Sequence, residues 1–165
     1  MAILPIQTEA QTTNAILRAR SAEVTDIADP DIQQCIRDMH ETLATMENGV
    51  GLAAPQVGRN LRIFVVSPEL GLRQTVFINP VITKISHETE RMEEGCLSLP
   101  GEYGMITRAT SVKVEAYNER GRKFKLKGEG LAAQLIQHEI GHLDGALFKD
   151  HAEKMFDISD IKKKS

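Results

Sequence analysis

The chain has 165 residues, 41% of them hydrophobic and 26% charged, with a net charge of −3. These proportions exclude a disordered chain and carry no basic excess of the kind nucleic-acid binding needs, and the length suits a single domain over residues 1–165 with a sizeable core. No apolar run is long enough to cross a bilayer, the start Met1-Ala2-Ile3-Leu4-Pro5-Ile6-Gln7 lacks a basic region followed by a sustained apolar one, and two cysteines make no disulfide framework, so a reducing, cytoplasmic setting is expected.

In chain order, Asp29-Pro30-Asp31 offers a helix start. Ile32, Cys35, Ile36, Met39, Leu43 and Met46 then recur at three- and four-residue steps, which predicts an amphipathic helix ending at Asn48-Gly49. Cys35 falls on its apolar stripe and reads as core. Arg62-Ile63-Phe64-Val65-Val66 and Val76-Phe77-Ile78-Asn79-Pro80-Val81-Ile82 read as strands, punctuated by Pro68 and Pro80. Residues 111–117 alternate apolar and polar, turn at residues 118–122 and continue through 123–127, which predicts a hairpin with a solvated Lys/Arg face. A last main helix runs from about Gly130 through His142. An early helix, several strands and a late helix amount to an α+β domain.

That late helix ends in Gln137-His138-Glu139-Ile140-Gly141-His142. Histidines four apart on a helix share a face and can converge on one metal ion, with Glu139 placed to handle a proton of bound water, as in metal-assisted hydrolases. A catalytic ion wants three protein ligands and an open position. The metzincin continuation fails because Phe148 stands where its third histidine belongs, and downstream of His142 the only Glu is Glu153. The third ligand is therefore sought upstream. Cys96, in Glu93-Glu94-Gly95-Cys96-Leu97-Ser98-Leu99-Pro100, is the stronger candidate on an irregular strand or loop that Pro100 ends; His87, in a polar turn, is the rival.

Three segments stand in order: Gly49-Val50-Gly51-Leu52-Ala53-Ala54-Pro55-Gln56, Glu94-Gly95-Cys96-Leu97-Ser98, and Gln137-His138-Glu139-x-x-His142. Together they closely resemble the peptide deformylase family, from about Asn48 to Phe148. The resemblance implies mostly antiparallel sheets around the central metal-binding helix, and hydrolytic removal of the N-formyl group from the initiator methionine of new polypeptides, with release of formate. It implies Cys96, His138 and His142 as metal ligands, with Glu139 moving a proton from water to the leaving amine. A carboxylate suits that work because apolar walls raise its pKa, although the cation pulls the other way. Gln56, through its side-chain amide, and Leu97, through its backbone N–H, are implied as donors to the oxyanion. Val50 and Gly51 are implied to contact the substrate main chain as an added strand would. Leu131 and Leu135, on the helix face leading to His138, are candidates for a methionine pocket, with ordinary core as the other reading.

The donor set suits Fe2+, Zn2+, Ni2+ or Co2+, and the resemblance implies Fe2+. It also implies nascent formyl-methionyl polypeptides as partners, at the ribosome; Lys162-Lys163-Lys164 reads as a solubilising tail. The chain departs from the family pattern at Gly141, where most members carry Asp, at Gln134, where an apolar residue is usual, and at Tyr103, where many carry Arg. A non-catalytic metal-binding module and a general endopeptidase are the competing readings; Glu139 argues against the first, since a structural site needs no such carboxylate.

Overall fold

The computed structural model describes residues 2–8, 15–96, 98–147, 150, 152 and 154–157. Its helices are α1 (Ala15–Arg18), α2 (Pro30–Ala44) and α3 (Leu131–Leu143). Its strands are β1 (Gly51–Ala53), β2 (Ile63–Val66), β3 (Val76–Ile85), β4 (Thr89–Cys96), β5 (Leu99–Ala109), β6 (Ser111–Tyr117), β7 (Lys123–Glu129) and β8 (Lys154–Asp157). They form two antiparallel sheets, one ordered β1-β2-β3-β6-β7 and the other β4-β5-β8. This is the expected α+β architecture.

Strand β2 shows why the larger sheet sits in the middle of the molecule. All four of its residues are buried, and alternate side chains point to opposite faces of a sheet. Phe64 and Val66 join a core cluster with Phe77, Val114, Ala133, Ile136 and Leu143, under α3. Ile63 and Val65 join a second cluster with Cys35, Ile36, Met39 and Leu43, under α2. A helix thus covers each face, and both clusters meet at β2. The Phe64 and Phe77 rings, paired in register, stack with centroids 4.4 Å apart.

Helix α2 starts as its sequence dictates: the Asp29 side chain accepts from the Asp31 N–H at 2.8 Å and Pro30 occupies the first turn. Its end differs from expectation. The helix stops at Ala44, and the left-handed residue is Asn48, at φ 63°, beyond an intervening turn. The Thr45 hydroxyl donates to the Thr42 carbonyl at 2.7 Å, a local bond that competes with helix continuation. In the hairpin, Asn118 Oδ1 accepts from the N–H groups of Arg120 and Arg122 at 3.0 Å each, closing the turn between β6 and β7.

The smaller sheet corrects a second expectation. Pro100 does not end the Cys96 segment; it lies in the first turnings of the eleven-residue β5, which pairs along the whole of β4. A register shift between Gly95 and Cys96 marks where the hairpin turns. Helix α3 packs against β1, β7 and β5, so it touches both sheets. The end of α3 is held from far away: Arg62 Nη1, Ser21 N–H and Ser21 Oγ all donate to the Leu143 carbonyl, at 2.9, 2.8 and 2.9 Å.

Candidate metal centre

The motif residues lie in the second half of α3, facing β4 and β1. His138, Glu139 and His142 are 9%, 2% and 1% exposed, so the helix presents its polar groups inward at this one place. The two imidazoles stand one above the other, ring centroids 4.9 Å apart. Opposite them, β4 ends at Cys96, whose Sγ lies 3.1 Å from His142 Nε2. The ligand atoms of Cys96, His138 and His142 all fall within 4.8 Å of one another. His87, the rival ligand, is exposed on the β3–β4 connection and is not part of this cluster.

Strand alternation puts Glu94 on the same face as Cys96, and it supplies a part that the sequence reading left without a role. Glu94 is 6% exposed; its Oε1 lies 3.2 Å from His138 Nδ1, while its Oε2 accepts from Arg108 Nη2 at 2.9 Å. The imidazole is thereby oriented with Nε2 toward the cluster, the usual support for a metal-binding histidine. Burial alone would raise the Glu94 carboxyl, but hydrogen bonds and charge from His138 and Arg108 hold it below its ordinary value. Arg108 carries no local sequence signal, because only the β4–β5 pairing brings it there.

Burial pushes the Glu139 carboxyl up to about 7, against the pull of His138 and with the help of Glu94. Burial also drives His142 well below its ordinary value, which keeps the imidazole neutral as metal ligation requires. Glu139 Oε2 and His142 Nδ1 are buried with no hydrogen-bond partner among the described residues. An orphaned carboxylate oxygen beside a thiol and two imidazoles is costly unless something polar joins it, and that donor set is one suited to a borderline divalent cation. The residues present fit such an ion.

A cavity of about 530 Å³ opens beside the cluster, lined among others by Val50, Gly51, Gln56, Leu131, Leu135, Cys96, His138 and Glu139. Gln56, 1% exposed, sits in a short 3-10 turn after β1. Its Oε1 accepts from the Ala53 N–H at 2.9 Å, which leaves Nε2 pointing at Ser98 Oγ (3.3 Å) and Cys96 Sγ (3.5 Å). A Cβ at Gly51 would lie 2.8 Å from Leu135 Cδ1 and 3.2 Å from Glu139 Oε1, so a larger residue there would have to push both side chains aside where β1 meets α3. Leu135 is buried, whereas Leu131, 55% exposed, stands at the cavity mouth. Gln134 also lines the cavity, and its Nε2 donates to the Glu93 carbonyl at 3.1 Å, tying α3 to β4. Tyr103 lines the cavity and packs against Gly95, its partner in register. Leu97, Phe148, Glu153 and Lys162–164 lie outside the described residues.

A helix bearing two imidazoles and a carboxylate, closed by a strand thiol beside an open cleft, is the arrangement of a metal-dependent hydrolase. The polypeptide deformylase family model matches residues 6–157. Peptide deformylase 1 of Clostridium perfringens is 48% identical over 136 residues, covering 82% of this chain and 90% of that one. The peptide deformylase of Natranaerobius thermophilus is 40% identical over 157 residues, 94% of this chain and 96% of that one. Among solved structures, the peptide deformylase of Thermotoga maritima superposes with a TM-score of 0.84 at 38% identity, covering 93% of this chain and all (100%) of that one. That of Synechococcus elongatus in complex with actinonin gives 0.83 at 39% identity, over 93% of this chain and 81% of that one. The chain belongs to the polypeptide deformylase family.

Proposed function

We propose that this protein removes the N-formyl group from the N-terminal formyl-methionine of newly made polypeptides, releasing formate, with one divalent cation as cofactor. The observation that carries the reading is Glu139: a buried carboxylate between two imidazoles, with an oxygen left unpartnered among the described residues at the cavity wall. A purely structural ion would gain nothing from it.

Cys96, His138 and His142 would hold the cation, which when bound acidifies a water and polarises a carbonyl. The residues around it do the remaining work. Glu139, poised near neutrality by burial, accepts a proton and returns it to the departing amine nitrogen. Gln56 offers its Nε2 hydrogens to the oxygen that gains charge, and the backbone N–H of Leu97 is the second donor in this scheme. Val50 and Gly51 lie at the edge of β1, where an extended peptide can add as a strand. Leu135, with Leu131 at the mouth, gives the methionine side chain an apolar wall.

Fe2+ is the proposed native ion, with Zn2+, Ni2+ or Co2+ as substitutes that one thiolate and two imidazoles also accommodate. The substrate places the enzyme in the cytoplasm, near ribosomes. No helix among the described residues is long and apolar enough to cross a membrane. The test is anaerobic purification, metal analysis, and a formate-release assay on formyl-Met, formyl-Ala and unformylated blocked peptides. Formate from formyl-Met peptides, faster than from formyl-Ala, is the expected result. Internal cleavage of the blocked peptide without formate would replace this reading by an endopeptidase.

A further inference from the structure

The two histidines of the cluster are held by different means. His138 has a side-chain partner on the far side of its ring, Glu94 Oε1, 3.2 Å from Nδ1. His142 is 1% exposed, and its Nδ1 has no hydrogen-bond partner among the described residues, so its ring takes its place from the backbone that carries it. That backbone is weak on both sides of the ligand. Gly141 precedes it, and glycine is among the poorest helix formers. Asp144 stands at the cap of α3, where a carboxylate opposes the negative end of the helix dipole.

One side chain from another part of the fold answers both. Arg62, 6% exposed, donates from Nη1 to the Leu143 carbonyl and from Nη2 to Asp144 Oδ1, each at 2.9 Å. Its own backbone is fixed just before β2: its N–H donates to the Ala22 carbonyl and its carbonyl accepts from the Asn79 N–H, both at 2.8 Å. A planar guanidinium serving two acceptors sets direction as well as distance. Ser21, through its N–H and Oγ, reaches the same Leu143 carbonyl and adds to the hold. We propose that Arg62 is a positioning residue for the metal ligand His142: it fixes the last turn of α3 so that Nε2 faces Cys96 Sγ, 3.1 Å away, and supplies the rigidity that Gly141 lacks. The inference rests on the reading of Cys96, His138 and His142 as the metal ligands.

The test takes Co2+ as the probe and titrates the loaded protein with a chelator, at a temperature where circular dichroism shows every variant folded. Arg62→Ala should bind Co2+ about tenfold more weakly, as loss of a supporting contact costs a metal site. It should also alter the thiolate-to-cobalt absorption. Millimolar guanidinium, which can refill the place beside the half-exposed Asp144, should restore the affinity, whereas urea should not. In a Gly141→Ala background the same substitution should cost clearly less, because two residues acting on one turn are not additive. Should Arg62→Ala not fold, Arg62→Lys, which keeps the charge without the fork, is measured in the same way, and weaker Co2+ binding is again expected. A purely structural role would lower Tm and leave affinity and absorption as in the parent protein. That result overturns the inference, as does an equal loss in both backgrounds or a loss that guanidinium does not restore. A parent protein that binds no Co2+ overturns the metal-centre reading, and this inference with it.

Discussion

The two walls of the metal centre are supported unequally. The helix wall, with His138, Glu139 and His142, rides on a core that includes Phe64, Phe77, Val114, Ile136 and Leu143. The strand wall, with Glu94 and Cys96, rests on a much smaller cluster of Leu99, Ile106 and Leu147, and most of β4 is exposed. What joins the walls is polar: Glu94 to His138, Gln134 to the Glu93 carbonyl, Gln56 to Cys96 and Ser98. A cation held by both walls therefore acts as a tie, and any ligand that binds only the assembled state stabilises it by mass action.

The largest effect comes from the helix wall. Glu139→Gln keeps the shape, so metal content should stay near that of the parent protein while formate release falls by about 10²–10⁴-fold or more; near-full turnover would return the structural-module reading. On the strand wall, Cys96→Ser should lose most of the bound metal, because a hydroxyl is a far weaker ligand than a thiolate, while His87→Ala keeps it. Metal analysis of the purified variants decides, and the opposite ranking would remove Cys96 from the ligand set. Gln56→Ala should lower kcat by about 10²–10³ with little change in metal content. Arg108→Ala, which leaves Glu94 without its cation, should weaken metal affinity by roughly ten- to a hundredfold, read by competition with a chelator. Chelation itself sharpens the contrast: amide exchange should accelerate along β4 and β5 and change little in β2 and β3, and uniform acceleration would erase the distinction between the walls.

The smallest effect tests a departure from the family pattern. A Cβ at Gly141 would meet nothing within 4 Å, so no close contact requires the glycine. Gly141→Ala should stabilise the protein by roughly 1 kcal/mol, raising Tm by ~2–4 °C. Calorimetry on parent and variant reads it directly.

Legibility in the sequence followed the same division. Residues with an apolar period declared themselves: α2 through Ile32, Cys35, Ile36 and Met39, β2 through its unbroken apolar run, β6 through alternation, and α3 through both its period and its motif. Strands β4 and β5 did not. Thr89-Glu90-Arg91-Met92-Glu93-Glu94 buries only Glu94, so no hydrophobic alternation marks it as a strand; pairing with β5 does, and pairing is a non-local fact. Within the site, Cys96, His138, Glu139 and His142 could be named from residue type and spacing. Glu94 had a signal that was passed over, its place two residues before Cys96 on the same strand face. Arg108 had none, since fourteen residues and a strand reversal separate it from Glu94, the carboxylate it supports.

The bonds that close the carboxyl end of α3 have a bearing on the order of folding. The Leu143 carbonyl is received by Arg62 and Ser21, partners 81 and 122 residues earlier in the chain. Closing loops of that size costs chain entropy that no local contact offsets in advance. The sheet formed by β1, β2 and β3 can assemble from neighbours in sequence, whereas both histidines must wait for this late docking. After dilution from denaturant, strand structure should return first, and the capacity to bind a cation should lag behind it. On a chain growing from its amino end, the catalytic centre cannot form until α3 has emerged, after every strand except β8.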